Sequence, residues 1–172
     1  MMRITKPEPG DYPAYYKPYV DAVPEEEVMT YFVRSQSEVP EFLRHIPADK
    51  LGYAYAPDKW TIAEVIQHVM DAERVFAYRG LCIARGEQQP LPSFDQDLYV
   101  RNAETSHRSL ASLVDEWSGI RHATISLFAH LPEDCLDYLG FAAGYPIRLR
   151  SLPWIIAGHE YHHWQVLQER YL

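Results

Sequence analysis

From Pro24 onward, apolar residues recur every three or four positions over long segments, separated by short polar stretches rich in proline and glycine. Val28, Tyr31, Phe32, Val39, Phe42, Leu43 and Ile46 follow mostly helical spacing. Glu25, Glu26 and Glu27 ahead of them suit the positive end of a helix dipole. Pro40 falls inside this first helix and is expected to kink or split it. Pro47 to Lys59 reads as a loop. Thr61, with Glu64 three residues on, is a capping-box start for a second helix running to about Ala84, and Gly86 follows as a stop. A short helical piece is predicted near Leu98 to Ala103, after the loop marked by Pro90 and Pro92. The stripe Leu110, Leu113, Val114, Trp117, Thr124, Leu127 and Phe128 predicts a third helix from about Ser109 to His130, closed by Pro132. Residues 133–150 read as a long connection with room for a short strand pair. Ser151 is expected to cap a fourth helix that runs to the C-terminus, with Pro153 tolerated in its first turn. Four amphipathic helices predict an all-α fold: a four-helix bundle with long connections, formed as one domain over 1–172.

Ahead of the first helix, five prolines are interleaved with Tyr12, Tyr15, Tyr16 and Tyr19. That spacing is expected to prevent a regular helix, so the segment reads as an irregular strap laid across the bundle. Met1 to Gly10 carries Arg3, Lys6 and Glu8 with no apolar run behind them, so no secretory signal is expected. The longest apolar stretch, near Leu152 to Gly158, is far short of the ~20 residues of a membrane span. Cys82 and Cys135 lie far apart, outside any metal or redox spacing, as expected of free thiols in a cytoplasmic protein. The chain has 16 Lys and Arg against 24 Asp and Glu, a net charge of −8, with no basic run. That balance opposes nucleic-acid binding, which is driven by neutralising phosphates.

Charge does not account for eight histidines, three of them within His159-Glu160-Tyr161-His162-His163. On a helical wheel, Leu152, Ile155, Ile156, Val166 and Leu167 centre at about 60°, with His159 at about 40° and His163 at about 80°. Two histidines therefore stand where a core calls for leucines. Their i, i+4 spacing brings both rings to one point, as a divalent-metal site requires. A pair of ligands holds a metal poorly, so a third belongs on a facing helix. His122 and His130 point away from their own stripe, and His45 and His107 lie near helix ends. His68 remains, about 90° from the centre of its stripe, where periodicity leaves a ligand and a surface residue equally open. Glu160, at about 140°, is a candidate general base or a residue that holds a ligand ring or a neighbouring helix from behind.

His159-Glu160-x-x-His163 also satisfies the zinc-protease signature. That reading lacks the third ligand further along the chain, because nine residues follow His163. A di-iron carboxylate bundle would require Glu-x-x-His on a second core helix, where the second helix offers Glu64-Val-Ile-Gln67.

Trp60-Thr61, Glu64 and His68-Val-Met-Asp71-Ala-Glu73, followed by Phe76-Ala-Tyr-Arg79, Phe94-Asp-Gln-Asp97 and the histidine cluster, resemble the DinB-like superfamily of metal-binding four-helix bundles. The likeness runs from about Tyr12 to Leu172. It implies a three-histidine site with one ligand from the second helix and an i, i+4 pair from the fourth, which here are His68, His159 and His163. Many members follow the last ligand with Arg-Gly-Gln, whereas this chain has Trp164-Gln165-Val166. Members with known chemistry are transferases or isomerases that use low-molecular-weight thiols; others are regarded as metal-dependent hydrolases. The resemblance also implies a small-molecule substrate and a homodimer.

Three neutral imidazoles leave a divalent ion its full charge and an open position, the arrangement of a catalytic rather than a closed structural site. The donor set suits zinc or nickel, with iron and copper also compatible. The open position takes water for hydrolysis or a thiol for attack on an electrophile. The expected function is thus a metal-dependent, thiol-dependent transferase acting on small electrophiles. A metal-dependent hydrolase and a non-catalytic metal- or ligand-binding bundle are the alternatives.

Overall fold

The computed structural model describes residues 2–172. Its helices are α1 (Lys17–Ala22), α2 (Val28–Arg44), α3 (Ile62–Ala84), α4 (Gln96–Asn102), α5 (Leu110–Ala129) and α6 (Ser151–Arg170). A hairpin of β1 (Leu139–Ala142) and β2 (Tyr145–Arg148) lies between α5 and α6. The protein is mostly helical, and the four long helices form the bundle: α2 packs on α5, and α3 on α5 and α6. Among the described residues, no helix is long and apolar enough to cross a membrane.

Local chemistry sets the helix ends. The Glu27 carboxylate accepts from the amides of Met29 and Thr30, both at 2.9 Å, which starts α2. The predicted capping box forms at α3: Thr61 Oγ1 accepts from the Glu64 amide at 3.3 Å, and Glu64 accepts in return from the Thr61 amide at 2.7 Å. Ser109 accepts from the Ser112 amide and starts α5. Pro40 neither breaks nor splits α2, which runs through it.

Two expectations fail. Ser151 does not cap α6; Arg150 occupies that position, and Ser151 lies inside the first turn. Its hydroxyl donates instead to the Asp11 carbonyl, because the N-terminal segment crosses this end of the helix. That segment is also not wholly irregular, since Lys17–Ala22 forms α1. Pro18 sits at the start of α1, where its missing N–H costs nothing. The segment is tied down by Trp154 Nε1 donating to the Ile4 carbonyl at 3.1 Å and by the Ile4 amide donating to Glu27 at 3.0 Å. Gly158 lets α1 lie against α6. A Cβ at that position would fall 1.9 Å from the Tyr19 carbonyl oxygen.

The expected strand pair is present, antiparallel, with Leu139 opposite Arg148 and Ala142 opposite Tyr145. Its two-residue turn has positive φ at Ala143 and Gly144, as tight hairpins need. Both cysteines are free, Cys135 buried and Cys82 half-buried.

The core is not continuous along the bundle axis. One apolar cluster holds Phe32, Phe76, Phe128, Trp154 and Ile155, and the other holds Leu43, Ile66, Met70, Leu113, Trp117 and Leu167. Between them, at matching heights on the four helices, come buried Ser35, Glu73, Arg121, His159 and Glu160. This polar waist is where the candidate site sits.

Candidate metal centre

His68 projects from α3, and His159 and His163 from successive turns of α6. One ring nitrogen from each lies within 4.8 Å of the other two. The Nε2 atoms of His68 and His159 are 3.0 Å apart. The ring centroids of His159 and His163 are 4.5 Å apart, and His68 is 4.9 Å from each. A tetrahedral ion with metal–nitrogen bonds of about 2.05 Å spaces its ligand atoms about 3.3 Å apart, so this cluster is close to a coordination geometry.

The rings are also in the right protonation state. Burial lowers His68 to about 4. Burial, reinforced by His68 and His162, lowers His163 to about 3. His159 is held well below the ordinary value by burial and by its three histidine neighbours. All three stay neutral near pH 7 and keep a lone pair to offer, as metal ligands must. The residues present therefore fit a divalent ion.

Aromatic rings pack around the cluster. Trp60 lies 4.7 Å from His68, and Tyr19 and Phe76 lie 5.4 and 6.2 Å from His159. Tyr19 comes from α1, so the N-terminal segment supplies part of the wall. On the other side, a cleft of about 360 Å3 reaches His163 from solvent; Tyr55, Trp60, Asp97, His162 and Tyr171 line it. His45, His107, His122, His130 and His162 are exposed and lie outside the cluster. Glu64 is engaged in the α3 cap, and Asp71 accepts from Gln67 and pairs with Arg74.

Glu160 differs from its wheel position. It is 1% exposed rather than at the edge of a stripe, because the N-terminal half of α6 is buried on all sides. Its Oε1 accepts from the Tyr31 hydroxyl and Arg121 Nη1, both at 3.1 Å. Its Oε2 accepts from Trp117 Nε1 at 2.8 Å and Arg121 Nη2 at 2.9 Å. Both oxygens are doubly engaged, which leaves no lone pair turned toward a substrate. All of these partners lie on α2 and α5, so Glu160 ties neighbouring helices to α6.

Arg121, 0% exposed, is the centre of this network and was missed by periodicity. It donates to Glu73 at 3.0 and 2.7 Å and to Glu160, and its fifth N–H goes to Ser35. The rings of Phe32 and Trp117 lie 4.7 and 5.0 Å from its guanidinium carbon. The signal was available: Trp117, Arg121, Thr124 and Phe128 keep one helical register, so Arg121 stands at a core position. Burial raises Glu160 from the ordinary carboxylate value while Arg121 pulls it back down.

No curated protein matches this chain in sequence. Solved structures do match in fold. YfiT from Bacillus subtilis, described as a probable metal-dependent hydrolase with an unusual four-helix bundle topology, superposes with a TM-score of 0.72 at 15% identity, over 87% of this chain and 88% of that one. A mycothiol-dependent maleylpyruvate isomerase gives a TM-score of 0.68 at 16% identity, over 85% of this chain and 61% of the other. The DinB-like protein YjoA, also from Bacillus subtilis, gives 0.58 at 20% identity, over 82% and 86%. At these identities the likeness establishes the four-helix bundle fold. The DinB superfamily profile matches residues 31–167, from the first core tyrosine of α2 to the last core leucine of α6. With most of its length inside that match, the chain belongs to the DinB superfamily.

Proposed function

We propose that His68, His159 and His163 hold one divalent ion, zinc or nickel, and that the protein is a metal-dependent enzyme transferring a low-molecular-weight thiol to small electrophiles. The observation that carries this reading is the convergence of three neutral imidazoles, His68 and His159 buried and His163 half-buried at a cleft open to solvent. Such a donor set leaves the ion's charge uncompensated by its ligands and a coordination position free. Bound there, the ion would lower the pKa of a thiol or of water.

The chain's own residues supply the rest. Trp60, Tyr19 and Phe76 exclude water from the backs of the ligand rings, which keeps the imidazoles neutral. The cleft past Trp60 and His163 admits the electrophile and lets the thiol proton leave to solvent. The sulfur then forms a bond to the electrophilic carbon as a halide departs, or as an epoxide oxygen leaves that carbon and takes up a proton. Thiol transfer stands ahead of hydrolysis because Glu160, the carboxylate adjacent to a ligand, is saturated by Arg121, Trp117 and Tyr31. A neighbouring fold belongs to a mycothiol-dependent isomerase, which supports the same order. Hydrolysis is the second reading, favoured by Asp58 and Asp97 in the cleft, where a carboxylate can receive a proton from water.

Elemental analysis of natively purified protein tests the centre. About one equivalent of a divalent metal is expected, lost in His163→Ala with the helical circular dichroism retained. Metal-free protein unable to rebind any divalent ion would overturn both enzymatic readings. Thiol dependence separates them: consumption of a chlorodinitro aromatic or an epoxide should require added thiol. Equal turnover without thiol would give hydrolysis instead, and a metal-loaded protein silent in both assays would be a binding bundle.

A further inference from the structure

The polar waist contains an imbalance that its hydrogen bonds do not explain. Glu73 and Glu160 are 2% and 1% exposed, and both bind the same guanidinium, that of Arg121. Every other donor to the two carboxylates, from Tyr31 and Trp117, is neutral. Every hydrogen bond to the four carboxylate oxygens comes from a donor and none offers an acceptor for a carboxyl proton, so the geometry is that of two anions against one cation, an excess of one negative charge. A buried ion pair already costs desolvation, and an unmatched buried charge costs more. Helix-to-helix hydrogen bonding alone would be served better by a neutral pair. The excess therefore calls for a positive charge nearby, and the described residues bring no second Lys or Arg within ion-pair distance of either carboxylate.

The nearest candidate is the centre formed by the neighbouring side chains. Glu160 directly follows His159, and Glu73 lies on the same helix as His68, five residues on. Adjacent Cα atoms are about 3.8 Å apart and each side chain adds several Å, so the Glu160 carboxylate lies on the order of 10 Å from the His159 ring nitrogens. The three imidazoles are neutral and cannot balance a divalent ion.

We propose that the Glu73–Arg121–Glu160 cluster is the buried counter-charge of the His68/His159/His163 centre, raising its affinity for a divalent cation electrostatically without touching it. This inference rests on the metal-centre reading above. Its residues are positioning residues: they act on the ion through the field of the waist.

The test is the affinity for zinc or cobalt, measured by chelator competition on purified wild type, Glu160→Gln, Glu73→Gln and Glu169→Gln. All three substitutions remove one negative charge, two in the waist and one from an exposed site on α6. A unit charge roughly 10 Å from a divalent ion, in a medium of effective dielectric about 20, changes the binding constant by over about 100-fold unscreened, of which screening by solvent and salt leaves about tenfold or more. Glu160→Gln and Glu73→Gln should each weaken binding by about tenfold or more, whereas Glu169→Gln should change it less than about twofold. The visible spectrum of bound cobalt should stay that of wild type, because the ligands and their geometry are retained; a purely structural role would instead alter that spectrum or lower thermal stability without changing affinity. Affinities within about twofold of wild type in both waist variants would overturn the proposal. If Glu160→Gln does not fold, Glu73→Gln, on a different helix, carries the same test. Wild type that binds no divalent ion would overturn the metal centre itself, a different outcome from metal-binding wild type with insensitive variants.

Discussion

Replacing Gly158 with alanine puts one methyl group into the tightest approach of α1 to α6. The added Cβ would lie 1.9 Å from the Tyr19 carbonyl oxygen and 2.3 Å from its carbonyl carbon. A carbon and a carbonyl oxygen ordinarily stay about 3.3 Å apart, so the α1 backbone must retreat by about 1.4 Å. A flexible side chain could swing aside; backbone cannot. Retreat uncovers Val20, buried in the apolar cluster, and draws the Tyr19 ring away from His159. Overpacking of this kind costs about 1–3 kcal/mol, with the upper end expected against backbone, and the higher helix propensity of alanine returns about 1 kcal/mol. The net loss is about 2 kcal/mol, or about 4–8 °C in Tm for a chain of this size. Gly119→Ala is the control: it lies within α5, exposed, with nothing within 4 Å of its added Cβ, so propensity alone acts and stability rises by up to about 1 kcal/mol. Urea unfolding followed by circular dichroism measures both. Opposite signs for one chemical change are the expected result. A Gly158→Ala variant as stable as Gly119→Ala would refute the close docking of α1, and with it the contribution of Tyr19 to the wall of the site.

Two further outcomes follow from the same geometry. His68 and His163 titrate near 4 and 3 in the folded chain but near 6.5 when unfolded, so below pH 6.5 the unfolded state binds protons that the native state does not. Stability of the metal-free protein should therefore fall as pH drops from about 6.5 toward 4, by up to about 1.4 kcal/mol per pH unit for each histidine. Urea midpoints that are flat from about pH 7 to about pH 5 would contradict the neutral burial of these rings. Thr61→Ala removes the hydroxyl that starts α3 and should cost about 1 kcal/mol, read as a lower Tm with unchanged metal stoichiometry.

The bundle was legible because its helices carry their own punctuation. The Thr61–Glu64 box and Ser109 mark starts that hold in the structure, and the stripes of α2 and α5 match their buried faces. His159 and His163 were legible for the same reason, since i, i+4 spacing fixes two rings on one face whatever surrounds the helix. His68 was not, because a wheel position near the edge of a stripe does not say which helix covers that edge. Ser151 and Lys17–Ala22 depart from the local pattern for one reason: the N-terminal segment crosses α6, takes the Ser151 hydroxyl for the Asp11 carbonyl, and docks α1 where Gly158 makes room.

By itself, then, the sequence determined an all-α chain with long connections and a histidine pair on its last helix, because those are matters of local spacing and capping. The tertiary structure decided that α6 is buried all round its N-terminal half, which turned Glu160 from a stripe-edge residue into a saturated one. It also decided that Glu73, Arg121 and Glu160, charges carried by three different helices, meet at one level. Periodicity reports which face of a helix is buried, but not the height at which facing helices meet, and three charges on separate helices have no meaning until that height brings them together.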